Sequence, residues 1–224
     1  MIRRASGWCL FLPPAPAPSP TPSPTSSGAS HTLSFTQGVD GYAGVEDASI
    51  SNMYYSSSNP KGTTFETNDQ LYVYEINYAA KGLIRFDVSA IPSTAHVVSA
   101  SLDLTIESWT SPQTVIGAFV TTPWDYSSSS FGWTNAGAGA AWSVPGVGFS
   151  DIHAPGFQFS DITANGFQRM SVALDAASVE AWVKDDASNQ GLILTNPNQG
   201  KLLRIYSSEA SNTAQRPTLS VTYL

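Results

Sequence analysis

Gly82–Val88 reads GLIRFDV, and Ala100–Glu107 reads ASLDLTIE. In the second stretch Ala100, Leu102, Leu104 and Ile106 share one side of an extended chain, and Ser101, Asp103, Thr105 and Glu107 the other. Successive side chains of a strand point to opposite faces, so this alternation is what a half-buried strand requires. In the first stretch Ile84, Phe86 and Val88 share a face, with Leu83, Arg85 and Asp87 opposite. Thr218–Tyr223 repeats the pattern, with Leu219, Val221 and Tyr223 against Thr218, Ser220 and Thr222. Working outward, further strands are predicted at His31–Thr36, Ala48–Met53, Leu71–Ile76, Val115–Thr121, Gln168–Leu174, Gly191–Thr195 and Leu202–Tyr206. Turn sequences at Asn59–Gly62, Ile91–Ser93 and Asn196–Gly200 punctuate them. One helix is predicted, with Asp175 as N-cap and Ala176–Lys184 as body. Its Val179, Trp182 and Val183 form an apolar stripe. Many short strands and one helix predict an all-β fold, a jelly-roll β-sandwich of two antiparallel sheets with one short helix.

The composition bounds what such a domain can do. The chain has 224 residues, 42% hydrophobic and 11% aromatic, enough for one domain with a real core. Charged residues make up only 12%, about half the usual share of roughly 25%. The net charge is −7, which disfavours nucleic acid, since phosphate contacts need clustered Lys and Arg. No apolar run approaches the roughly 18 residues of a membrane span. With one cysteine, Cys9, there is no internal disulfide and no cysteine-based zinc site. The three histidines, His31, His96 and His153, are widely spaced. Residues 1–30 read as a leader remnant followed by a linker, and residues 31–224 as the sandwich. Met1–Leu12 carries Arg3 and Arg4 before a short apolar stretch, and Pro13–Ser30 uses only Pro, Ala, Ser, Thr and Gly. Such a segment favours extended polyproline II and acts as a semi-rigid spacer. It predicts a secreted or cell-surface-attached module joined to an upstream partner module. All 17 acidic residues but only 8 of the basic ones lie in the body, which therefore carries −9.

Phe149–Gln158 reads FSDIHAPGFQ and Phe159–Gln168 reads FSDITANGFQ, a tandem duplication matching at eight of ten positions. A lengthened loop or extra hairpin is the expected outcome. A site pairing Asp151 with Asp161, for calcium, is the sharper alternative.

Gly82-Leu83-Ile84-Arg85-Phe86-Asp87-Val88-Ser89, followed by Ile91-Pro92 and the strand to Ile106, resembles the DNRLRE domain. That domain is also classed with the disaggregatase-related repeats and with carbohydrate-binding module family 96. Trp124 and then Gly132-Trp133-Thr134-Asn135 look like its two-tryptophan segment. Leu174-Asp175 with Val179 and Ala181-Trp182-Val183 resembles its strand-to-helix step, and Asn189–Leu194 its next strand. Tyr206–Ala210, Arg216-Pro217 and Leu219–Tyr223 look like its closing signature. The resemblance covers about Val45 to Leu224, and the duplication departs from it. It implies a jelly-roll sandwich, extracellular life, no catalysis and polysaccharide binding, in some members beside alginate-active enzymes.

A sugar presents apolar C–H faces and hydroxyls, so its site uses aromatic platforms with a few polar groups. Tyr72 and Tyr74 share one face of their strand, and Arg204 and Tyr206 one face of theirs. Arg85 lies on the non-core face of its strand. If these faces align, they form an aromatic and basic patch that would fork onto a uronate carboxylate. Lys81 and Arg216 complete the candidate cations. The alternative is a packed second sheet, with Arg85 paired to an acid such as Asp87 or Glu209. Trp133 and Trp182 are expected in the core, while Trp109, Trp124 and Trp142 lie nearer loops, and Trp124 is a candidate stacking platform. Glu46 and Asp47 are a candidate structural calcium site, with an exposed acidic turn as the alternative; no other cofactor is implied. The expectation is a non-catalytic extracellular module binding a polysaccharide, with an anionic, uronate-containing one such as alginate in view. A structural or adhesive subunit of a surface layer or filament is the rival. A small lyase or hydrolase is the third reading, but no carboxylate pair or base sits in a recognisable motif.

Overall fold

The structure is a computed structural model that describes residues 28–53, 63–65, 69–75, 78–108, 113–137, 139–163, 166–198 and 201–224. The leader and nearly all of the spacer, the turn Asn59–Gly62 and Trp109 lie outside the described residues. In chain order the strands begin with β1 (His31–Thr36), β2 (Val45–Ser51), β3 (Thr63–Phe65), β4 (Gln70–Glu75) and β5 (Ala79–Phe86). Next come β6 (Val97–Ser108), β7 (Gln113–Val120), the short β8 (Asn135–Gly137) and β9 (Ala140–Ala141), and then β10 (Ile152–Ile162) and β11 (Gly166–Leu174). Helix α1 (Ala176–Lys184) precedes β12 (Leu192–Thr195), β13 (Lys201–Tyr206) and β14 (Thr218–Tyr223).

All pairings are antiparallel, and they build two layers. The first contains β1-β14-β6, with β11 on the far side of β6 and β13-β4 extending from the C-terminal half of β6. The second runs β3-β2-β5-β12-β7-β10. A single bridge, Tyr74 opposite Ala80, carries hydrogen bonding from one layer into the other at the β4–β5 corner. Leu102, Leu104 and Ile106 of β6 pack in one cluster with Ile84 and Phe86 of β5 and Leu192 and Leu194 of β12. The layers therefore stack face to face as an all-β sandwich, in agreement with the alternation in the sequence.

Helix α1 starts where the sequence places it. The Asp175 carboxylate accepts the Ser178 amide, and Val179, Trp182 and Val183 are buried. Trp182 packs on Phe119 of β7 with ring centroids 5.2 Å apart, so the helix closes one end of the sandwich.

The second layer is buried on both faces. Ala48, Ile50, Leu83 and Ile193 point away from the main core into a second cluster with Trp124, Phe131, Trp133, Trp142 and Val147. Residues 121–137 and 139–151 fold over this outer face as a cap held by the β8–β9 hairpin. Inside it, the indole N–H of Trp124 donates to the Gln190 carbonyl at 2.7 Å and that of Trp142 to the Gly132 carbonyl at 2.9 Å. Those bonds meet the cost of burying two indole donors. Gly146 is required in this cap: its φ is +83°, and a Cβ there would lie 2.4 Å from the Trp133 ring.

The duplication becomes one strand and a crossing. β10 spans the junction of the two copies and pairs with β7 on the edge of the second layer, with irregular register on both sides of Phe157–Phe159. β11 pairs with β6 in the first layer. Equivalent residues end in opposite settings: Phe149 is 92% exposed while Phe159 is buried, and Phe157 is 8% exposed against 52% for Phe167. Phe157 lies over Gly117, where any Cβ would fall 2.0 Å from its ring. Neither a lengthened loop nor an extra hairpin forms, because β10 and β11 do not pair with each other but with β7 and β6 in different layers, and Asp151 and Asp161 do not form a pair. Asp151 is buried and accepts from the hydroxyls of Thr122 and Ser143 and the amides of Ser143 and Gly148. Burial acts to raise its pKa, but these four donors hold the carboxyl below the usual range. Asp161 is exposed, with φ +61° at a strand irregularity.

Candidate functional site

Among the described residues, no segment caps the outer face of the first layer as that of the second layer is capped. Antiparallel register places one residue from each of four strands in a row across it: Tyr72 of β4 opposite Arg204 of β13, Arg204 opposite Glu107 of β6, and Glu107 opposite Phe167 of β11. The Arg204 guanidinium stands 5.8 Å from the Tyr72 ring centroid, donates to Gln70 Oε1 at 2.8 Å and lies 3.9 Å from the Glu107 carboxylate. One step along β13, Tyr206 packs at 5.1 Å against Phe167, whose ring is half exposed. Tyr74 follows Tyr72 along β4. Four of the residues singled out from sequence, Tyr72, Tyr74, Arg204 and Tyr206, therefore share a face. Phe167 was missed because its copy of the repeat reads the same as Phe157's.

The same face continues over β14 and β1 as a hydroxyl ladder. Thr32–Thr222, Ser34–Ser220 and Thr36–Thr218 bond in pairs at 2.9, 3.0 and 2.7 Å. Arg169, on the same face of β11, donates to Thr105, Thr218 and the carbonyls of Ala214 and Arg216.

The other candidates lie elsewhere and are already engaged. Trp124 is 4% exposed beneath the cap and is not a stacking platform. The two-sided burial of its sheet is legible in Leu192-Ile193-Leu194, a continuous apolar run rather than an alternation. Arg85 lies over the Trp124 ring at 4.7 Å and pairs with Glu46 rather than with Asp87 or Glu209. Lys81 donates to the carbonyls of Gly146 and Val147 and sits 5.7 Å from the Trp133 ring. Burial lowers its pKa, against an upward pull from Glu75. Arg216 donates to the carbonyls of Ala210 and Gln37 at 2.8 and 2.7 Å. The basic cluster expected for a uronate does not gather: only Arg204 of the four cations reaches the platform, and Glu107 faces it.

The calcium expectation at Glu46 and Asp47 also fails as drawn. The two are consecutive on a strand, so Glu46 points outward to Arg85 while Asp47 points between the layers. Asp47 is 3% exposed and accepts the Ser208 amide at 2.7 Å. Among the described residues, no three His, Cys, Asp or Glu side chains converge as a metal cluster.

A polar cleft of about 540 Å³ opens at one end of the sandwich, lined by Glu46, Arg85, Asp87, Asp186, Asn189 and Gln190 among others. It offers carboxylates and amides, but Phe86, its one aromatic residue, is fully buried. An apolar groove of about 420 Å³ lies beside β7, with Ile116, Val144 and Phe149 exposed along it. Among the described residues no helix is long and apolar enough to cross a membrane. Compared with known proteins, the chain matches no protein-family model and no curated protein.

Proposed function

We propose that the domain is a non-catalytic extracellular carbohydrate-binding module that lays a polysaccharide across the outer face of its first layer. The observation that carries this reading is the row Tyr72–Arg204–Glu107–Phe167, with Tyr206 packed beside it. Ring faces take the C–H surface of a sugar, and the arginine, carboxylate and amide groups between them take its hydroxyls. The resemblance to the DNRLRE domain and the Pro-rich spacer support a secreted module tethered to a partner. Because Arg204 faces Glu107, the platform has no net positive charge of its own at that row. This favours a neutral glycan over a polyuronate, against a body that carries −9.

Titration calorimetry with neutral and uronate oligosaccharides, at low and high salt, tests the reading. A shallow site should bind in the micromolar range or weaker, about −8 kcal/mol at best. Phe167→Ala and Tyr72→Ala should each weaken binding by roughly 5- to 30-fold, the loss of about 1–2 kcal/mol that a contacting aromatic supplies. Binding that survives both substitutions removes the platform.

The second reading, a structural or adhesive subunit, is favoured by the exposed groove of Ile116, Val144 and Phe149. Contiguous exposed apolar residues of this kind mark interaction surfaces. Concentration-dependent assembly abolished by Phe149→Ser, together with no glycan binding, would favour it.

A further inference from the structure

The two layers are joined at the β4–β5 corner, and their outward faces meet there. Tyr74, the next outward residue after Tyr72 on β4, is bridged to Ala80 of β5, one residue before Lys81. A cavity of about 370 Å³ opens at this corner, lined by Asn52, Tyr74, Glu75, Lys81, Trp133 and Thr195 among others. Small-molecule sites run from roughly 300 to 1,000 Å³, so the space suffices for one ring-sized ligand. Strand alternation brings these side chains together: Lys81 lies on the same side of β5 as Leu83, beneath the cap that supplies Trp133.

Lys81 is the anomaly in the wall of this cavity. It is half-buried, and its ammonium donates to the Gly146 and Val147 carbonyls beside the Trp133 ring, with one N–H to spare. Arg85, Arg169, Lys184 and Arg204 each lie at a carboxylate. Among the described residues Lys81 has no such ion pair. Glu75 acts on it by its charge but stands exposed at the rim. A partly desolvated ammonium without a counter-ion is stabilised by an anion that arrives beside it. The other polar groups around the cavity are also unspent. Asn52 Oδ1 accepts the Ala79 amide at 2.7 Å, which fixes that side chain. Its Nδ2, the Tyr74 hydroxyl and the Thr195 hydroxyl have no hydrogen-bond partner among the described residues, and no other aromatic ring packs on Tyr74.

We propose that the corner cavity is a second subsite that takes one acidic sugar residue, its carboxylate or sulfate on Lys81 and its C–H face on the Tyr74 ring. An amide, two hydroxyls and a carboxylate around the ring match the donors and acceptors of sugar hydroxyls, which a bare anion would leave unused. Glu75 at the rim opposes a run of negative charges. The site therefore suits a single acidic residue in an otherwise neutral chain, in keeping with the balanced charge of Arg204 and Glu107 on the platform. The inference rests on the reading of the domain as a glycan-binding module, and Tyr74 joins the cavity to the platform of that reading.

The test titrates the full chain with methyl glucuronide, methyl glucoside 6-sulfate, methyl glucoside and acetate, followed by NMR at amide and indole N–H groups. An acidic sugar should shift the Trp133 indole and the Thr195 amide, with half-saturation at about millimolar concentration and roughly 3- to 5-fold tighter than methyl glucoside. The stronger of the two acidic sugars identifies the anion, and added salt should narrow the gap to the neutral sugar. Lys81→Met should remove the preference and Lys81→Arg should keep part of it. Tyr74→Ala should weaken acidic and neutral sugars alike, and it carries the test if Lys81→Met disturbs the cap. Tyr72→Ala should leave the corner unchanged. An equal response to the neutral sugar, a response to acetate as strong as to the acidic sugars, or acidic-sugar binding that survives Tyr74→Ala would overturn the proposal. Oligosaccharide binding that needs Tyr72, with no response to either acidic sugar, would overturn the cavity and leave the platform standing. An acidic-sugar response without Tyr72-dependent binding would support the cavity and remove the platform.

Discussion

The two outer faces of this sandwich began from similar strands and ended differently. On the second layer, Ala48, Ile50, Leu83 and Ile193 lie beneath a cap of three tryptophans and a phenylalanine. On the first layer, Tyr72, Arg204, Glu107 and Phe167 face solvent, and Ser and Thr hydroxyls pair along β1 and β14. The difference teaches that an aromatic residue's role depends on whether apolar side chains wait on the sheet beneath it. Trp124 and Trp142 find Leu83 and Ile193 and become core. Tyr72 beside Arg204, and Tyr206 beside the half-exposed Phe167, have no apolar cap over them among the described residues and stay at the surface.

The largest way to break the comparison is to truncate the cap. Trp124→Ala and Trp142→Ala should each cost about 3–5 kcal/mol in urea denaturation, by cavity formation and an orphaned carbonyl partner. Tyr72→Ala on the open face should stay within about 1 kcal/mol. Wild-type stability in Trp124→Ala would mean that the cap does not seal the second layer.

The repeat gives an internal control, since Phe157 and Phe167 occupy the same position in the two copies. Phe157→Ala should cost roughly 3 kcal/mol or more, because the ring fills the space over Gly117. Phe167→Ala should cost well under about 1 kcal/mol and act on glycan binding instead. Equal losses of stability would erase the distinction between the copies.

The third prediction concerns pH and sets the buried edge of β2 against the helix. The unfolded chain releases the Asp47 proton near 3.8, and in the folded chain burial first, and then the charge of Glu209, hold it to higher pH. The folded state therefore binds more protons above that value, and the penalty grows as pH rises through the folded pKa. Asp47→Asn should melt a few degrees above wild type near pH 8, with the advantage shrinking toward about pH 4. Glu180 of α1 has the opposite sign. Lys184 first, then the Val97 amide and His96, hold it down to about 2 from 4.5. Its contribution is present above 4.5 and fades as pH falls toward 2. Glu180→Gln should therefore lose stability at neutral pH and converge on wild type in strong acid.

The smallest expected effect sharpens the reading of the open face. Glu107→Gln removes the carboxylate opposite Arg204 and should shift preference toward anionic oligosaccharides by a few-fold, within about 1 kcal/mol for a partly exposed pair. Calorimetry on uronate and neutral ligands measures it, and an unchanged ratio would mean that Arg204 does not contact the ligand.

Much of the fold was legible. The alternation in Ala100–Glu107 and Thr218–Tyr223, the Asp175 cap and the Val179–Trp182–Val183 stripe each correspond to an observed element. Strand β10 was not legible, because Ile152–Ile162 crosses the boundary of a repeat and lacks a steady period. Of the candidate site, the pairings of Tyr72 with Tyr74 and of Arg204 with Tyr206 followed from period two alone. Lys81, Arg85 and Arg216 were misplaced because a strand pattern says which residues share a face and not which carbonyl or carboxylate waits there.

The sequence by itself determined the class of structure, the ends of its helix and the inward face of most strands, because backbone periodicity is local. Only the tertiary structure decided which outer face is covered, which copy of the repeat is buried, and that Asp47 meets Glu209 rather than acting with Glu46. Those outcomes depend on contacts between segments far apart in the chain. Burial, charge and hydrogen-bond satisfaction there are set by the neighbour that arrives, and no local pattern specifies it.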